Sequence, residues 1–423
     1  MKKLLLATDR KFWLKEQGSA NRISDLYRYL VSKEFDVFVF LVGRLNENDL
    51  KIIQNNYADL KLFTYRQGFL SKQQFKVKLL ALSMAIKTWL KKLKTTVKPQ
   101  KLNQIHQARA RREVTLDDFF SQKNQTYFQK ICLNLKPDCI IVEYLRLAYL
   151  VEEIGQFLPY QPLMLIDTHD VAHQRYERFS QHGEIGELKV TVEEEKHYLS
   201  LFDVVLAIQN QDCKVFQQML PNQRVIEVGY TSEIKIDSGE DKPYINISYV
   251  AGPHPANQQA IAKFIDNVWH QLYCRFHDRI NLNIFGRVCE NLAGFNPPKN
   301  VNLIGWVDDL PSVYKAADII INPIYCGTGL KIKNVEALCY GKPLVTTSIG
   351  AEGLEQGKNK AFIVCDCPEC TVKKISELIE KPNLRKNLAQ KAYAFARRNF
   401  TEDKVYQELY NVLMHQPEHN VLK

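Results

Sequence analysis

Residues 323–354 have the sequence PIYCGTGLKIKNVEALCYGKPLVTTSIGAEGL. An apolar, β-branched run, DIIINPI, leads into this stretch, and a turn at Gly327, Thr328 and Gly329 interrupts it. A helical pattern follows the turn, and the run PLVTTS after the helix has the composition of a second strand. A strand, a turn, a helix and another strand in this order form one unit of a parallel sheet. The stretch therefore predicts an α/β fold.

The same alternation runs along the whole chain in two series. Strands of the first series are predicted at KKLLLATD, DVFVFLVG, LKLFTY, DCIIVEY, LMLIDTHD and VVLAIQ, and those of the second at INISYVAG, NLNIFG, VNLIGW, DIIINPI, PLVTTS and AFIVCD. At 423 residues the chain exceeds what one hydrophobic core usually organises, so we expect two domains. The polar stretch GYTSEIKIDSGEDKPY, residues 229–244, separates the two series and is the predicted linker.

We place the domains on either side of that linker. The N-terminal domain is predicted over residues 1–235, with a basic helical insertion near 66–135, and the C-terminal domain over 243–398. A final helix is predicted within 399–423, because Thr401 can cap it and apolar side chains repeat on one face.

Composition and the first residues of the chain indicate a cellular compartment. The first apolar run ends at Asp9, after about six residues, which is too short for a signal peptide. No apolar stretch approaches the roughly 18 residues that a membrane-spanning helix needs. Ten cysteines without a secretion signal suggest reduced thiols, so we expect a cytoplasmic protein. In CDCPEC, residues 365–370, zinc would need a further ligand, and we expect reduced, unliganded cysteines there.

The net charge of +10 arises from one segment. From Lys61 to Arg112 the sequence has fourteen basic residues and no acidic one. Within it, residues 75–94 have apolar side chains at helical spacing and lysines on another side. Such a helix can pack its apolar face on the sheet or lie on an anionic membrane at its inner face. No nucleic-acid-binding motif accompanies the charge, so nucleic acid is not an expected partner.

Ligands of open α/β sheets bind beyond the carboxyl ends of the strands, and one loop of the second series there is GPHPANQQAIAKF, residues 252–264. Gly252 lets the backbone approach a ligand closely, and Asn257 can cap a helix whose first amides face an anion. His254 either donates a hydrogen bond to phosphate or is an ordinary surface residue.

The other loop is the turn at 327–329. Its backbone N–H groups and the following helix N-terminus converge as a diphosphate requires. Lys331 and Lys333 lie at the start of that helix, where a cation opposes the helix dipole and a bound anion explains its presence. One turn further, the carboxylate of Glu336 can accept hydrogen bonds from two ribose hydroxyls. The alternative is an ordinary exposed Lys and Glu surface.

The string GTGLKIKNVEALCYGKPLV followed by TTSIGAEGL resembles the donor-binding segment of GT-B glycosyltransferases, in particular glycosyltransferase family four. GPHPANQQAIAKFIDNVW, NIFGR and VNLIGWVDDLPSVYKAADIIINP resemble the segments around it in the same order. EQGSANRISDLYRYL and LIDTHDVAHQRY resemble the acceptor-side glycine loop and the strand end that carries a His near the transferred sugar. The resemblance implies two Rossmann-like, doubly wound parallel-sheet domains that face a central cleft.

The resemblance also implies roles for individual residues. Ser19 and His169 would face the donor sugar or acceptor and are the expected catalytic residues. The expected donor-binding residues are Gly252, His254, Arg287, Trp306, Val307, Gly327, Thr328, Gly329, Leu330, Lys333 and Glu336. No metal ligand is expected. Many members carry a Glu just ahead of the glycine turn that contacts the donor sugar, but here that residue is Cys326.

The implied reaction is transfer of a sugar from a nucleotide-diphosphate sugar to an acceptor hydroxyl, with retention of configuration and without a required metal or other cofactor. Partners would be the nucleotide sugar and a glycan, lipid-linked or small-molecule acceptor, as in polysaccharide biosynthesis. His169 would lie near the transferred sugar, or would simply cap the helix after its strand. Alternatives are a nucleotide-sugar epimerase or a phosphorylase of the same fold, and a catalytically silent sugar-nucleotide or membrane-binding protein.

Overall fold

The computed structural model describes residues 1–15, 18–71, 113–183, 187–235, 243–292, 295–307 and 309–415. The chain forms two compact units. The first unit consists of Met1–Ala207, Cys213–Ile226 and Val412–Lys423, and the second of Ile208–Asp212 and Glu227–Asn411. Each unit is an α/β domain with its own sheet and hydrophobic core.

The sheet of the first unit has eight strands in the order β4-β3-β2-β1-β5-β6-β7-β8. Their bounds are Lys3–Thr8 (β1), Asp36–Leu41 (β2), Lys61–Thr64 (β3), Gly68–Leu70 (β4), Cys139–Glu143 (β5), Leu163–Asp167 (β6), Val204–Ala207 (β7) and Arg224–Glu227 (β8). β1, β2, β3, β5, β6 and β7 pair in parallel, and β4 pairs antiparallel to β3. All six predicted strands are present; β4 and β8 were missed because they are short and lack a continuous apolar run.

The sheet of the second unit has six strands in the order β11-β10-β9-β12-β13-β14, all parallel. Their bounds are Ile245–Val250 (β9), Ile280–Phe285 (β10), Val301–Gly305 (β11), Ile319–Asn322 (β12), Leu344–Thr346 (β13) and Ile363–Val364 (β14). Every one of them was predicted from its apolar run. The prediction of two parallel-sheet α/β domains is therefore confirmed.

Helices connect these strands. Their bounds are Gly18–Ser32 (α1), Glu47–Asn56 (α2), Gln122–Leu135 (α3), Ile154–Phe157 (α4), Ala172–Gln181 (α5), Val192–Leu199 (α6), Asn210–Met219 (α7), Pro255–Phe264 (α8), His270–Phe276 (α9), Leu310–Ala316 (α10), Ile332–Cys339 (α11), Pro368–Glu380 (α12), Pro382–Asn399 (α13) and Glu402–Met414 (α14). None of the helices in the described part of the chain is long and apolar enough to cross a membrane. The basic helix predicted over 75–94 lies outside the described residues.

Strand order creates one switch point in each sheet. In the first sheet the chain moves from β1 to β2 and β3 on one side, then continues at β5 on the other side of β1. In the second sheet β9 leads to β10 and β11, and β12 then lies on the opposite side of β9. The loops that leave two such neighbouring strands diverge, and the crevice between them is where ligands bind in this kind of sheet.

Two local expectations need correction. The stretch 229–244 is not a polar linker throughout, because Tyr230 is buried in the second unit. The expectation of reduced cysteines was wrong for Cys365 and Cys370, which are joined by a disulfide. Pro368 begins α12 between them, and the turn brings their α-carbons to 5.6 Å, within the usual disulfide range.

Candidate active site

The loops after β9 and β12 meet at the switch point of the second sheet. Asn257, in the first turn of α8, donates from its Nδ2 to the carbonyl of Gly252 at 3.2 Å. Its Oδ1 accepts from Lys333 Nζ, in the first turn of α11, at 2.8 Å. Asn257 was expected to cap α8; instead His254 is the cap, with Nδ1 accepting from the backbone N–H of Ala256 at 3.1 Å. Any bond from His254 to an anion must then come from Nε2.

The glycine turn between β12 and α11 is shaped by two positive φ angles. Gly327 has φ 136° and Gly329 has φ 69°, a backbone region that other residues adopt at a cost. Lys331 caps the turn at its far end, because its ammonium donates to the carbonyls of Thr328 at 3.2 Å and Gly329 at 2.7 Å. Lys331 therefore stabilises the turn itself, whereas the sequence suggested an anion as the reason for its charge.

The ammonium group of Lys333 has a lowered pKa because of its surroundings. The ammonium lies 5.0 Å from the centre of the Tyr249 ring, and the residue is half-buried. Burial, with a smaller effect from Lys331, lowers the pKa of Lys333 to about 7, although Glu336 acts in the opposite direction. A diphosphate placed beside it would supply the missing negative charge and restore the charged form.

Glu336 lies one turn further along α11 and is 5% exposed. Its Oε1 accepts from the hydroxyl of Tyr230 at 3.0 Å, and its Oε2 accepts from the hydroxyl of Tyr314 at 2.8 Å. Tyr230 and Tyr314 were missed by sequence reasoning, because nothing in either local pattern points to a partner in α11.

The remaining expected donor-site residues occupy the loops of the neighbouring strands. Leu330 is buried at the end of the glycine turn. Arg287 follows β10 and pairs with Glu290 at 3.2 Å. Trp306 follows β11 and is 45% exposed, and Val307 comes after it and is half-buried.

A buried amide network under the turn was also missed. Asn334, fully buried in α11, accepts from Asn322 Nδ2 at 2.9 Å and donates to the carbonyl of Gly350 at 2.6 Å. Thr346 Oγ1 accepts from Asn334 Nδ2 at 3.3 Å and donates to the carbonyl of Asn322 at 2.9 Å. These bonds tie α11 to the carboxyl ends of β12 and β13. They hold the helix that carries Lys333 and Glu336.

In the first unit the corresponding residues gather at the ends of β5 and β6. His169 is 5% exposed and its Nε2 lies 2.6 Å from Glu143 Oε2. Its ring stacks on Tyr144 with centroids 4.0 Å apart and an interplanar angle of 10°. Tyr144 and His169 both have positive φ, 72° and 62°, which is strain of the kind found at functional sites.

The protonation of this pair follows from burial. Burial, reinforced by Asp167, raises the pKa of Glu143 well above its usual value. Burial, reinforced by Arg22, Arg146 and Arg10, lowers the pKa of His169 well below its usual value. One proton between the two groups satisfies both tendencies, and it leaves His169 without a positive charge at neutral pH.

Ser19 lies at the start of α1 and hydrogen-bonds to Tyr144. Both expected catalytic residues, Ser19 and His169, thus contact the same tyrosine. Arg22, one turn further along α1, forms a buried ion pair with Asp167 at the end of β6.

The switch point of the first sheet is closed by a second ion pair. Arg146, after β5, donates from Nε and Nη2 to the two carboxylate oxygens of Asp9, each at 2.7 Å. Its guanidinium also lies 3.8 Å from the centre of the Tyr144 ring. The planar groups of His169 and Arg146 therefore both pack on this tyrosine.

Among the residues that the structure describes, Glu143, Asp167 and His169 form a group that could hold a metal ion. Their ligand atoms lie within 4.8 Å of one another, and carboxylate and imidazole groups both bind divalent cations. However, Arg22 balances Asp167, and Glu143 shares its hydrogen bond with His169. We therefore describe the cluster as a hydrogen-bonded network and assign no metal to it.

Comparison with known proteins gives two kinds of similarity. Residues 245–381 match the family described as Glycosyl transferases group 1. An uncharacterized glycosyltransferase of Methanocaldococcus jannaschii is 34% identical over 125 residues, which are 28% of this chain and 31% of that protein. The chain aligns with less than half the length of the curated relatives it matches.

Similarity to solved structures extends over almost the whole chain. Sucrose-phosphate synthase from Thermosynechococcus elongatus has a TM-score of 0.68 at 11% identity, with 98% of each chain covered. Anabaena Alr3699/HepE in complex with UDP-glucose has a TM-score of 0.61 at 12% identity, covering 98% of this chain and all of that one. At such identities the similarity shows the fold. The chain has the fold of the GT-B glycosyltransferases, and its residues 245–381 match the model of the group 1 glycosyl transferases.

Proposed function

We propose that this protein is a glycosyltransferase that takes a sugar from a nucleoside-diphosphate sugar bound by the second unit and transfers it to an acceptor hydroxyl. One observation carries the proposal. The glycine turn, Lys333 and Glu336 lie together at the switch point of the second sheet, inside the segment that matches the group 1 glycosyl transferases. The Anabaena relative was crystallised with UDP-glucose, which supports a nucleotide sugar as the donor.

Each group of the donor site has a distinct task in this proposal. The N-terminus of α11 and the amides of the turn at 327–329 bind the diphosphate, and Lys333 adds a positive charge. Because that charge is destabilised by burial in the free protein, a diphosphate gains a partner that has lost its hydration shell. Glu336 binds the ribose hydroxyls. The residues that stabilise the leaving diphosphate would then act without a required metal ion.

The acceptor is assigned to the first unit, where His169 is held by Glu143 through Nε2. Only Nδ1 of the ring can then face a ligand. We propose that Nδ1 hydrogen-bonds the transferred sugar or the acceptor hydroxyl, with Ser19 nearby. Attack from the face of the departing phosphate would retain the anomeric configuration.

We further propose a glycan or lipid-linked acceptor, as in polysaccharide synthesis on the cytoplasmic side of a membrane. Contact of residues 75–94 with anionic lipid, which is the alternative to packing of their apolar face on the sheet, would bring such an acceptor close. The Cys365–Cys370 disulfide does not favour a reducing compartment.

Nucleotide binding is the first test. Thermal unfolding and calorimetric titration with UDP, GDP, ADP and their sugar conjugates should reveal one preferred base, because a ligand of the folded state raises its melting temperature. Glu336→Ala should weaken that binding with the fold intact, whereas Glu402→Ala, an exposed glutamate of the second unit, should not. Equal affinity of Glu336→Ala and wild type would refute the donor assignment.

Turnover is the second test. Release of nucleoside diphosphate from the bound donor, with and without EDTA, separates metal-independent from metal-dependent cleavage. The anomeric proton of the product, followed by NMR, reports retention or inversion. Tight binding of a donor that is never cleaved, with a range of glycan and lipid acceptors, would favour the silent binding protein, for which Cys326 at the usual Glu position is the sequence argument.

A further inference from the structure

Both carboxylate oxygens of Glu336 are held by tyrosine hydroxyls. Tyr230 donates to Oε1 at 3.0 Å and Tyr314 donates to Oε2 at 2.8 Å. All three residues are buried in the second unit, with exposures of 3% for Tyr230, 0% for Tyr314 and 5% for Glu336. An unsupported glutamate samples several rotamers, but two hydrogen bonds at different oxygens fix the position and the plane of the carboxylate.

The two tyrosines are themselves held in place. Tyr314, in α10, stacks on Tyr340 with centroids 4.8 Å apart and an interplanar angle of 7°. Its hydroxyl also lies 3.3 Å from the carbonyl of Lys333. Burial, reinforced by Glu336, raises the pKa of Tyr314 well above its usual value, so its hydroxyl remains a donor.

The chemistry of a carboxylate explains what this arrangement does. An ionised carboxylate can accept about four hydrogen bonds, so two tyrosines do not exhaust its capacity. When its plane is fixed, its two oxygens can accept from two hydroxyls only if those hydroxyls are neighbours in the right geometry. The 2′- and 3′-hydroxyls of a ribose are such a pair, and a deoxyribose offers only one of them.

We propose that Tyr230 and Tyr314 are positioning residues, which hold Glu336 so that the site selects a ribonucleoside diphosphate over its deoxy forms. This inference rests on the proposed nucleotide site. It assigns a role in specificity to Tyr230, which lies in a stretch that the sequence suggested was only a linker. The hydroxyls act through Glu336 and do not themselves contact the nucleotide.

The test is a comparison of binding ratios rather than of single affinities. UDP, GDP and ADP are titrated by calorimetry, together with the 2′-deoxy and 3′-deoxy forms of whichever binds most tightly. Wild type should favour the ribonucleotide by roughly tenfold or more for each hydroxyl removed, as expected for a hydrogen bond to a charged group. In Tyr230→Phe and Tyr314→Phe this ratio should fall to within about threefold of unity, as the held geometry is lost.

Tyr340→Phe is the matched control. It keeps the ring that stacks on Tyr314 and removes a hydroxyl from the same cluster, and its ribose preference should equal that of wild type. Because Tyr314 is fully buried, far-UV circular dichroism and the melting temperature check that each variant folds. If Tyr314→Phe does not fold, Tyr230→Phe gives the same test, because it removes the hydrogen bond to the other oxygen of Glu336.

The outcomes separate the two proposals. If wild type binds none of the nucleotides, or binds ribo and deoxy forms equally, the proposed nucleotide site is wrong. If wild type prefers the ribonucleotide and both folded Phe variants keep that preference, the donor site stands and the positioning role is refuted. If the Phe variants bind every form more tightly, the tyrosines compete with the nucleotide for Glu336, which also contradicts the proposal.

Discussion

Replacing Lys333 with Met should stabilise the free protein and at the same time weaken diphosphate binding. The ammonium of Lys333 is enclosed between Asn257 and the Tyr249 ring, and burial lowers its pKa from 10.5 to about 7. A methionine has a similar length and removes the charge. The folded protein would no longer bear the cost of keeping that charge, or of giving up its proton, in a poorly hydrated place.

The size of the effect follows from the pKa. One pKa unit corresponds to about 1.4 kcal/mol, so lowering the pKa from 10.5 to about 7 costs the folded state at most about 5 kcal/mol. The variant also loses the hydrogen bond to Asn257, which reduces the gain in stability by about 1 kcal/mol. We expect Lys333→Met to raise the free energy of unfolding of the second unit by roughly 2 to 4 kcal/mol at pH 6.5.

The pKa of Lys333 also determines how the stability of the wild type changes with pH. Between pH 7 and 10.5 the unfolded chain keeps the Lys333 proton and the folded chain has lost it, so wild-type stability rises with pH in that window. The gain in free energy of unfolding from Lys333→Met should therefore be largest and constant below pH 7. It should shrink between pH 7 and 10.5 and disappear above pH 10.5. For the same reason, diphosphate affinity of wild type should fall as pH rises above 7.

Urea unfolding at pH 6.5 and 9.5, combined with hydrogen exchange of amides in the second unit, measures this stability without assuming that both units unfold together. Lys360→Met, an exposed lysine of the same unit, is the control and should change stability by less than about 0.5 kcal/mol at either pH. A Lys333→Met variant that is no more stable than wild type at pH 6.5 would refute the argument. So would a gain that does not depend on pH.

Four further substitutions test the backbone and the buried side chains around the two sites. Gly286→Ala should lower the free energy of unfolding, measured in urea, by about 2 to 4 kcal/mol, because φ at this residue is 96° and an added Cβ would lie 2.3 Å from a neighbouring backbone oxygen. At Gly252 an added Cβ would have no atom within 4 Å, so Gly252→Ala should leave stability unchanged and weaken only diphosphate binding, measured by calorimetry. Asn334→Ala should lower the free energy of unfolding by about 2 to 4 kcal/mol, since it leaves buried amide partners without bonds; a smaller loss than for an exposed Asn would contradict the network. Arg22→Met should lower the free energy of unfolding by about 3 to 5 kcal/mol at pH 7, because it leaves Asp167 buried and unpaired. This destabilisation should become smaller in mild acid, where Asp167 takes up a proton. A destabilisation that grows on acidification would show that it does not arise from the ion pair.

Much of the fold could be predicted from the sequence because its determinants are local. Apolar runs of strand length, spaced by helical patterns, identify twelve of the strands and predict parallel sheets. Glycines at 327 and 329 mark the turn, because φ angles of 136° and 69° suit a residue without a side chain. The position of Lys333 and Glu336 in the first turns of the helix pointed to a diphosphate and a ribose, and the resemblance implied the same roles.

The short strands β4 and β8 escaped prediction for the same reason. They have three and four residues, and their place in the sheet comes from pairing with neighbours rather than from their own composition. The disulfide between Cys365 and Cys370 likewise depends on the turn at the start of α12, which sets the distance between the two residues.

By itself, then, the sequence determined the α/β class, the strand-to-helix turn and the residue types offered to a ligand. Only the tertiary structure decided which of these groups meet. Tyr230 reaches Glu336 across 106 residues of chain, and Glu143 reaches His169 across 26. The pKa of Lys333 is likewise a product of what encloses it. Periodicity and turn chemistry act over a few residues, whereas burial and hydrogen-bond partners depend on how distant segments pack, and no local pattern records that packing.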